Sequence, residues 1–327
     1  MRTLAALAAL SLLTACASPA SPAGDAPALS ATLWQSELHV GHALTGKIWD
    51  VQANAAISQE ELLAALGQAR IVILGEKHDN PDHHALQRSV LTALRNAGVL
   101  SGVSFEMLDT RQQPALDSLA RVDLTSEEAV RAHLQWDADG WDWSLYGPLV
   151  LDVARAGLPI RAANISTDEM MAVYGAPLAA EVAGALSQPQ IERLYTEIDE
   201  SHCGMLPESQ FPAMVRVQQA RDASMARSLV GANAGVQVLI AGNFHARRDL
   251  GVTNYLPPGL AGVLSVGILE VNPEEQTPLA YLQAFSDVLP YDYLWFTPAV
   301  SAEDYCASLR EGRQQTAFSG SANRSGN

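Results

Sequence analysis

Positive charge is scarce in this sequence. Of 327 residues, 20 are Lys or Arg against 36 Asp or Glu, and Lys47 and Lys77 are the only lysines, so the formal net charge is −16. A protein that binds nucleic acid through its phosphates needs a basic face. The scarcity of cations therefore argues against nucleic acid as a partner.

Several motifs with well-understood chemistry are also missing. The sequence has no Gly-x-Gly-x-x-Gly, no phosphate-binding loop, no Gly-x-Ser-x-Gly, no His-Glu-x-x-His and no Cys-x-x-Cys-His. These absences argue against nucleotide chemistry, ordinary serine hydrolysis and covalent haem attachment. Apolar residues nevertheless make up 48% of the chain, enough for a globular core.

The first residues have the features of an export signal. A positive start, Met1-Arg2, precedes an apolar stretch from Leu4 to Leu13 that is too short to span a bilayer, and Thr14-Ala15-Cys16 follows. This pattern resembles a bacterial lipobox, which implies cleavage before Cys16 and acylation of its thiol; a plain signal peptide is the alternative. Ala17 resembles the sorting pattern of outer-membrane lipoproteins. We therefore expect a lipid-anchored envelope protein, placed at the outer membrane.

Composition divides the rest of the chain. We expect a signal peptide over 1–15, the acylated cysteine and a flexible tether rich in Ala, Ser and Pro over 16–31, an α/β domain over 32–308 and a disordered tail over 309–327. After acylation, Cys203 and Cys306 remain as thiols in a compartment that permits disulfides. Two cysteines alone fix no geometry, so a bridge and a pair of buried thiols both stay open.

Apolar runs alternate with helical patterns in the central domain. The runs predict strands over Ile71–Leu74, Val103–Phe105, Ile160–Ala163, Val236–Ala241 and Val263–Val271, with helices such as His83–Asn96 and Leu145–Arg155 between them. This alternation predicts an α/β fold with a mostly parallel sheet flanked by helices. The segment 167–233 has no strand pattern and reads as several helices inserted between later strands, either a lid over the sheet edge or a plain helical layer.

One seven-residue pattern occurs twice. Val72-Ile73-Leu74-Gly75-Glu76-Lys77-His78 and Leu239-Ile240-Ala241-Gly242-Asn243-Phe244-His245 each place an apolar run, then a Gly, then a His three residues later. We expect each Gly to free the backbone to turn. If both strands are parallel members of one sheet, the two histidines emerge at the edge where open α/β sheets bind ligands.

Polar residues follow four predicted strands, as expected of a binding crevice. The candidate crevice residues, catalytic or ligand-binding, are Glu76, His78, His83, Glu106, Asn164, Asn243 and His245. His78, Glu106 and His245 have the chemistry for a zinc centre or for general base catalysis. The alternative is that each histidine only hydrogen-bonds a neighbouring loop.

Two further segments contain unusual combinations of residues. Arg221 lies within an apolar helical stripe made by Met214, Val217, Met225 and Leu229, so an acidic partner or an anionic ligand group should lie near it. The alternative is that its side chain bends out to water along its stem. The stretch Trp136–Tyr146 is rich in aromatic and acidic residues. It is either core packing or an aromatic wall for a flat apolar ligand.

Several motifs together resemble those of the ChaN-like haem-binding lipoproteins of the Tiki superfamily, and the resemblance runs from Leu44 to Cys306. The motifs are Gly75-Glu76-Lys77-His78-Asp79-Asn80-Pro81-Asp82-His83-His84, Phe105-Glu106, His202-Cys203-Gly204-Met205, Arg221-Asp222-Ala223 and Gly242-Asn243-Phe244-His245-Ala246-Arg247-Arg248-Asp249-Leu250-Gly251-Val252.

The resemblance implies an envelope lipoprotein that binds haem for iron acquisition, with a haem receptor or transporter as a partner. It also implies a homodimer and a tyrosine ligand to the haem iron, for which we select Tyr195. Candidate cations for the haem propionates are Arg221, Arg247 and Arg248.

Haem binding does not explain the paired Gly-x-x-His strand ends. Relatives in the wider superfamily resemble hydrolases that use such residues as ligands of a divalent metal or as His and Glu acid-base pairs. A hydrolase acting on an ester or peptide is therefore the alternative, although the resemblance favours a haem-binding protein over an enzyme.

Overall fold

A computed structural model describes residues 34–231, 234–303, 305–307 and 310. The predicted signal peptide, Cys16, the tether and all but one residue of the predicted tail lie outside the described residues. Within the described part of the chain, no helix has both the length and the apolar character needed to cross a bilayer.

An eight-stranded sheet forms the centre of the described residues, in the order β2-β1-β8-β7-β3-β6-β4-β5. The strands are β1 (Ile48–Asp50), β2 (Ala55–Ile57), β3 (Ile71–Glu76), β4 (Leu100–Asp109), β5 (Ile160–Asn164), β6 (Val236–Gly242), β7 (Val263–Glu270) and β8 (Tyr293–Thr297). Neighbours from β8 to β5 pair in parallel, whereas β1 is antiparallel to both β2 and β8. The predicted mostly parallel α/β fold is confirmed; β1, β2 and β8 were not among the predicted strands.

Helices cover both faces of this sheet. They are α1 (Gln59–Gly67), α2 (Pro81–Asn96), α3 (Gln113–Asp117), α4 (Glu127–Leu134), α5 (Trp143–Arg155), α6 (Thr167–Gly175), α7 (Ala180–Ala183), α8 (Gln188–Ser201), α9 (Phe211–Leu229) and α10 (Asn243–Ala246). Short 3₁₀ turns occupy Thr110–Gln112, Leu119–Arg121, Glu208–Gln210, Val252–Tyr255 and Pro278–Leu282.

Strand β3 shows why the sheet needs cover on both faces, because all six of its residues are buried. Val72 and Leu74 belong to the apolar cluster that includes α2 and α5, whereas Ile71 and Ile73 belong to the cluster that includes α9. Successive strand side chains point to opposite faces, so a strand buried on both sides reads as a continuous apolar run.

The start of α2 fixes the chain just after β3. Pro81 opens the helix, and the Asn80 side chain accepts hydrogen bonds from the backbone nitrogens of Asp82 (2.9 Å) and His83 (3.3 Å). Proline suits the first helical position, and an Asn cap satisfies N–H groups that have no intrahelical partner. The adjacent histidines of the first turn are thereby placed directly beside the end of β3.

The helices α6–α9 are inserted between β5 and β6, as the sequence indicates. Helix α9 packs on β5, and α6 and α8 pack on α9. We refer to α6, α8 and the turn after α8 as the lid. Cys203 in that turn is disulfide-bonded to Cys306, with 5.4 Å between their Cα atoms, which selects the bridge from the two alternatives.

Candidate functional site at the carboxyl edge of the sheet

The two copies of the repeated pattern lie side by side. Strands β3 and β6 are parallel neighbours, and Glu76 pairs with Gly242 in their register. The copies are therefore offset by one residue: β3 continues through Glu76, whereas the second copy turns into α10 directly after Gly242. Their histidines consequently have different surroundings.

The glycine of each copy makes room for a side chain of the other copy. A Cβ atom on Gly75 would lie 2.4 Å from Oδ1 of Asn243, and one on Gly242 would lie 2.9 Å from Nε2 of His78. Gly75 also lies inside β3, and neither glycine has a positive φ. The expected turning role of these glycines is therefore wrong, because close packing explains them instead.

Buried Glu76 is the centre of the first half of the site. The Tyr146 hydroxyl donates to its Oε1 at 2.6 Å, and His78 Nδ1 lies 3.0 Å from the same oxygen. His84 Nδ1 lies 3.2 Å from Oε2. Because a carboxylate can only accept, Nδ1 of His78 carries the proton, and the lone pair of the neutral ring lies on Nε2.

Buried His245 is the centre of the second half. Its Nδ1 lies 2.6 Å from Asp222 Oδ1, and its Nε2 lies 3.3 Å from Glu106 Oε1. The other oxygen of Glu106 accepts from the backbone nitrogen of Gly242 at 2.7 Å. Both nitrogens of His245 therefore face carboxylates, so the ring is held as an imidazolium.

The pKa values follow from this arrangement. Burial alone would lower the pKa of His245, but the charges of Glu106 and Asp222 raise it to about 10. Burial alone would raise the pKa of Glu106, but His245 lowers it to about 2. Burial, together with the nearby charge of Glu106, raises the pKa of Asp222 despite the adjacent His245. For His78, burial opposes the charged form, but the hydrogen bond to Glu76 and the charge of Glu106 raise the pKa.

The two histidines thus differ in accessibility and in chemistry. The His78 side chain is 43% exposed and that of His245 is 7% exposed. Among the described residues, Nε2 of His78 has no hydrogen-bond partner. His78 can therefore exchange a proton with a ligand, whereas His245 supplies a fixed positive charge.

Of the two adjacent histidines on α2, His84 rather than His83 lies at the crevice. Nδ1 of His83 accepts from the backbone nitrogen of Lys77 and its Nε2 lies beside the Thr297 hydroxyl, each at 2.8 Å. Burial holds the pKa of His83 well below its ordinary value. His83 therefore joins the end of β3 to β8 as a neutral ring, which corrects its assignment to the crevice.

The side chains of Asn164 and Asn243, at two strand ends, form hydrogen bonds with backbone atoms. The side chain of buried Asn164 accepts from the nitrogen of Ile165 at 2.9 Å. Asn243 donates to the carbonyl oxygen of Ile268 at 2.6 Å. Both lie at the predicted edge, where their hydrogen bonds fix the loops around the acid-base groups.

The aromatic stretch packs mainly in the core. Trp136 and Trp143 are buried in edge-to-face contact with ring centroids 5.0 Å apart, and Tyr146 is buried as well. Two members of the stretch reach the crevice: the Tyr146 hydroxyl donates to Glu76, and half-buried Trp141 has its ring 5.0 Å from that of His78.

The sequence analysis did not assign Tyr146, His84 or Asp222 to the site. The signals were present: His84 and Asp222 lie within the quoted motifs, and Tyr146 follows the acidic stretch. Burial of Asp222, which no apolar pattern predicts, is the structural reason to include it.

A cavity of about 660 Å³ lies between the lid and α9 and reaches His245. Most of its lining is apolar, and cationic, phenolic and imidazole groups converge on it. The lining residues are Met170, Met171, Tyr174, Leu194, Glu197, Ile198, Ser201, His202, Met214, Val217, Gln218, Arg221, Phe244 and His245. Its volume lies in the range of small-molecule and cofactor sites, about 300–1,000 Å³.

The residues suggested for haem are distributed unevenly around this cavity. Arg221 lines it, whereas Arg247 forms two hydrogen bonds to Asp249, at 2.9 and 2.7 Å, and Arg248 pairs with Asp292. Tyr195 packs on Phe211, with ring centroids 5.9 Å apart, and is not among the lining residues.

The described residues include no group of three or more His, Cys, Asp or Glu side chains arranged to hold a metal ion. The predicted trio of His78, Glu106 and His245 does meet at one edge. Because both nitrogens of His245 face carboxylates, however, it has no nitrogen directed toward a shared metal.

A parallel α/β sheet with buried acid-base groups at its carboxyl edge and a lidded apolar cavity defines a small-molecule-binding α/β protein. The family model described as haem-binding uptake, Tiki superfamily, ChaN matches residues 62–256. The chain belongs to this family, and the resemblance found in its motifs is confirmed.

One solved structure agrees with this family assignment. A structure titled "Cofacial heme binding to ChaN of Campylobacter jejuni" has a TM-score of 0.64 and 25% identity, covering 76% of this chain and 95% of the other. Two other matches are more distant. The type III effector HopBA1 has a TM-score of 0.42 and 14% identity, covering 72% of this chain and 91% of the other. A mutant of the erythromycin esterase EreC in its open conformation has a TM-score of 0.45 and 11% identity, covering 76% of this chain and 95% of the other. No curated protein matches the sequence significantly.

Proposed function

We propose that this protein binds haem in the lid cavity as part of haem and iron acquisition. The single observation that carries this proposal is the cavity itself: it has about 660 Å³, a mostly apolar lining, and both a tyrosine and a histidine on its wall. Haem needs an apolar slot and an axial ligand to its iron. Membership of a haem-binding uptake family supports the same function.

His202 is one candidate for the axial ligand. Its Nδ1 donates to the carbonyl oxygen of Ile198 at 2.7 Å, so the lone pair of the neutral ring lies on Nε2. Iron-ligating histidines commonly donate their other ring N–H to such a partner, which fixes the tautomer and orients the ring.

Tyr174 is the second candidate. Its backbone lies near the end of α6, where the guanidinium of Arg216 donates to the carbonyl oxygens of Val173 (3.0 Å) and Tyr174 (2.6 Å). A cation at a helix C-terminus satisfies orphan carbonyl groups and stabilises the helix. Tyr195, the residue selected from sequence, is not among the residues that line the cavity, so we expect it not to ligate the iron, and the same experiment tests this.

The envelope setting is part of this proposal. A lipid anchor at Cys16 would hold the protein at the outer membrane, where it would exchange haem with a receptor or transporter. The Cys203–Cys306 bridge supports an oxidising compartment, because disulfides rarely persist in a reducing cytosol. A homodimer is also proposed, and sedimentation with and without haem measures it.

Haem titration of the purified domain tests the function. We expect stoichiometric binding with an absorption spectrum typical of tyrosinate or imidazole ligation. Tyr174→Phe or His202→Gln should change the spectrum, whereas Tyr195→Phe, at a tyrosine outside the cavity lining, should not. Uptake that never saturates, or a spectrum unchanged in both cavity variants, contradicts the proposed site.

A second candidate function, hydrolysis of an ester or peptide, is favoured by the geometry of His78. Glu76 orients its Nδ1, and Nε2 is free to take a proton from water. Burial opposes the charged form of His78, but the hydrogen bond to Glu76 and the charge of Glu106 raise its pKa, which strengthens the ring as a base. In this candidate the substrate binds at the exposed face of His78, which is not among the residues that line the lid cavity.

An ester and peptide panel distinguishes this candidate. We expect His78→Gln to abolish any turnover, whereas His133→Gln, at a half-buried histidine that contacts Ala115 and Ser118 on another helix, should not affect it. Elemental analysis of the same protein shows whether a divalent metal takes part. Absence of turnover across the panel, or equal rates for both variants, removes the candidate.

A further inference from the structure

Arg221 has no acidic partner. It projects from the middle of α9, lines the lid cavity, and its Nη2 contacts only the sulfur of Met170, at 3.6 Å. Its Nε is buried without a hydrogen-bond partner. Among the described residues, no ion pair involves Arg221.

Nearby arginines show how unusual this is. Arg193 pairs with Glu197 at 2.5 Å, and Arg247 pairs with Asp249 at 2.7 Å. Arg216 donates to three backbone carbonyl groups. Arg221 thus differs from the other partly buried arginines around the lid in having no oxygen acceptor.

The acidic residue next to it does not compensate. Asp222 follows Arg221 in sequence, but its carboxylate faces His245 at 2.6 Å. The sequence left three explanations for a guanidinium on this stripe: an acidic partner, an anionic ligand group, or a stem that bends out to water. Arg221 is partly buried and has no acidic partner, and its Nε is buried without an acceptor, which water at an exposed end of the side chain does not satisfy; these observations favour the anionic ligand group.

We propose that Arg221 recognises a carboxylate of the ligand while the apolar body of the ligand packs along Met170, Met214 and Phe244. A planar guanidinium can donate two parallel hydrogen bonds to a carboxylate. The inference rests on the proposed function and deepens it: for haem, the recognised group is a propionate. Because this contact does not involve iron, the cavity should also bind a metal-free porphyrin dicarboxylate.

The probe is therefore protoporphyrin IX without metal, compared with its dimethyl ester by fluorescence titration. We expect the wild-type protein to bind the free acid about tenfold to a hundredfold more tightly than the ester, the range for a hydrogen bond to a charged group. Arg221→Met should remove most of this preference, and Arg221→Lys should retain part of it. Arg227→Met, at an exposed arginine of the same helix, is the matched control and should behave as wild type.

Melting of the free variants separates recognition from folding. Because Nε of Arg221 is unsatisfied in the free protein, Arg221→Met should melt at the same temperature as wild type or higher. A lower melting temperature with an unchanged preference for the free acid would assign Arg221 a structural role and overturn the proposal.

The outcomes also separate the two proposals. If haem binds with an axial-ligand spectrum but Arg221→Met leaves the acid-over-ester preference unchanged, the Arg221 assignment fails and haem binding stands. If the preference depends on Arg221 but haem shows no iron ligation, the haem assignment fails and carboxylate recognition stands.

Discussion

Removing the positive charge of His245 should strongly destabilise the protein. The ring lies between Asp222 at 2.6 Å and Glu106 at 3.3 Å, and all three side chains are at most 7% exposed. His245→Gln keeps a similar size and a hydrogen-bond donor but leaves two buried carboxylates without a cation. Breaking a buried ion pair in this way costs about 3–5 kcal/mol.

The pKa of His245 gives a magnitude of the same order. A rise from 6.5 to about 10 corresponds to roughly 5 kcal/mol of interaction between the imidazolium and its surroundings, at about 1.4 kcal/mol per pH unit. Because the folded-state pKa is raised, this stabilisation is complete below pH 6.5 and is lost as the pH rises through 10. Glu106, whose pKa falls from 4.5 to about 2, contributes stability that is present above pH 4.5 and lost toward pH 2.

Urea unfolding of wild type and His245→Gln between pH 4 and 10 measures the effect. With a slope of about 1–3 kcal/mol per molar urea, the midpoint should fall by at least roughly 1 M at pH 6. The difference should shrink toward pH 10, where wild-type His245 loses its proton. His245→Gln with Asp222→Asn should recover part of the loss. A loss below about 1 kcal/mol at pH 6, or one that does not change with pH, would refute the ion-pair reasoning.

Two further substitutions test other parts of the structure. Gly242→Ala should displace the half-exposed His78 ring, since the new Cβ would lie 2.9 Å from Nε2, and should change the titration of His78 with little loss of stability in the same urea assay. An unchanged histidine titration by NMR would argue against the packing. Replacing Cys203 and Cys306 by Ser should lower the free energy of unfolding by about 4–5 kcal/mol, because the bridge joins residues 103 apart in sequence. A wild-type melting temperature that reductant does not lower would contradict this prediction.

The central strands could be predicted because strands buried on both faces consist almost entirely of apolar residues. Strands β3 and β6 are buried along their whole lengths and read as continuous apolar runs. Strands β1 and β2 have three residues each, and β1 is held by antiparallel pairing with β8. Such short edge strands depend on partners far along the chain, so local patterns do not indicate them.

The site was predictable only where it follows a strand. Glu76, His78, Glu106 and His245 leave adjacent parallel strands, so topology brings them together. Asp222 instead reaches the site from α9, through the packing of that helix on the sheet. Whether a helical residue faces a strand end depends on tertiary packing, which periodicity alone does not give.

The adjacent histidines on α2 illustrate the same limit of sequence patterns. His83 and His84 are adjacent, and a helix turns by about 100° per residue, so at most one of them can face the crevice. His84 lies beside Glu76, whereas His83 lies beside Thr297 on β8. Both side chains are buried, so their directions depend on how α2 packs on the sheet, which the spacing of apolar residues does not give.

His245 contacts the buried carboxylates and also lines the lid cavity. A molecule that enters the cavity therefore changes the medium around a ring whose proton is held by buried charges. If such a molecule changes the proton affinity of the His245 ring by some factor, protonation of the ring changes the affinity for the molecule by the same factor. Occupancy of the cavity and protonation of His245 are therefore linked to the extent that a bound molecule changes the pKa of this ring.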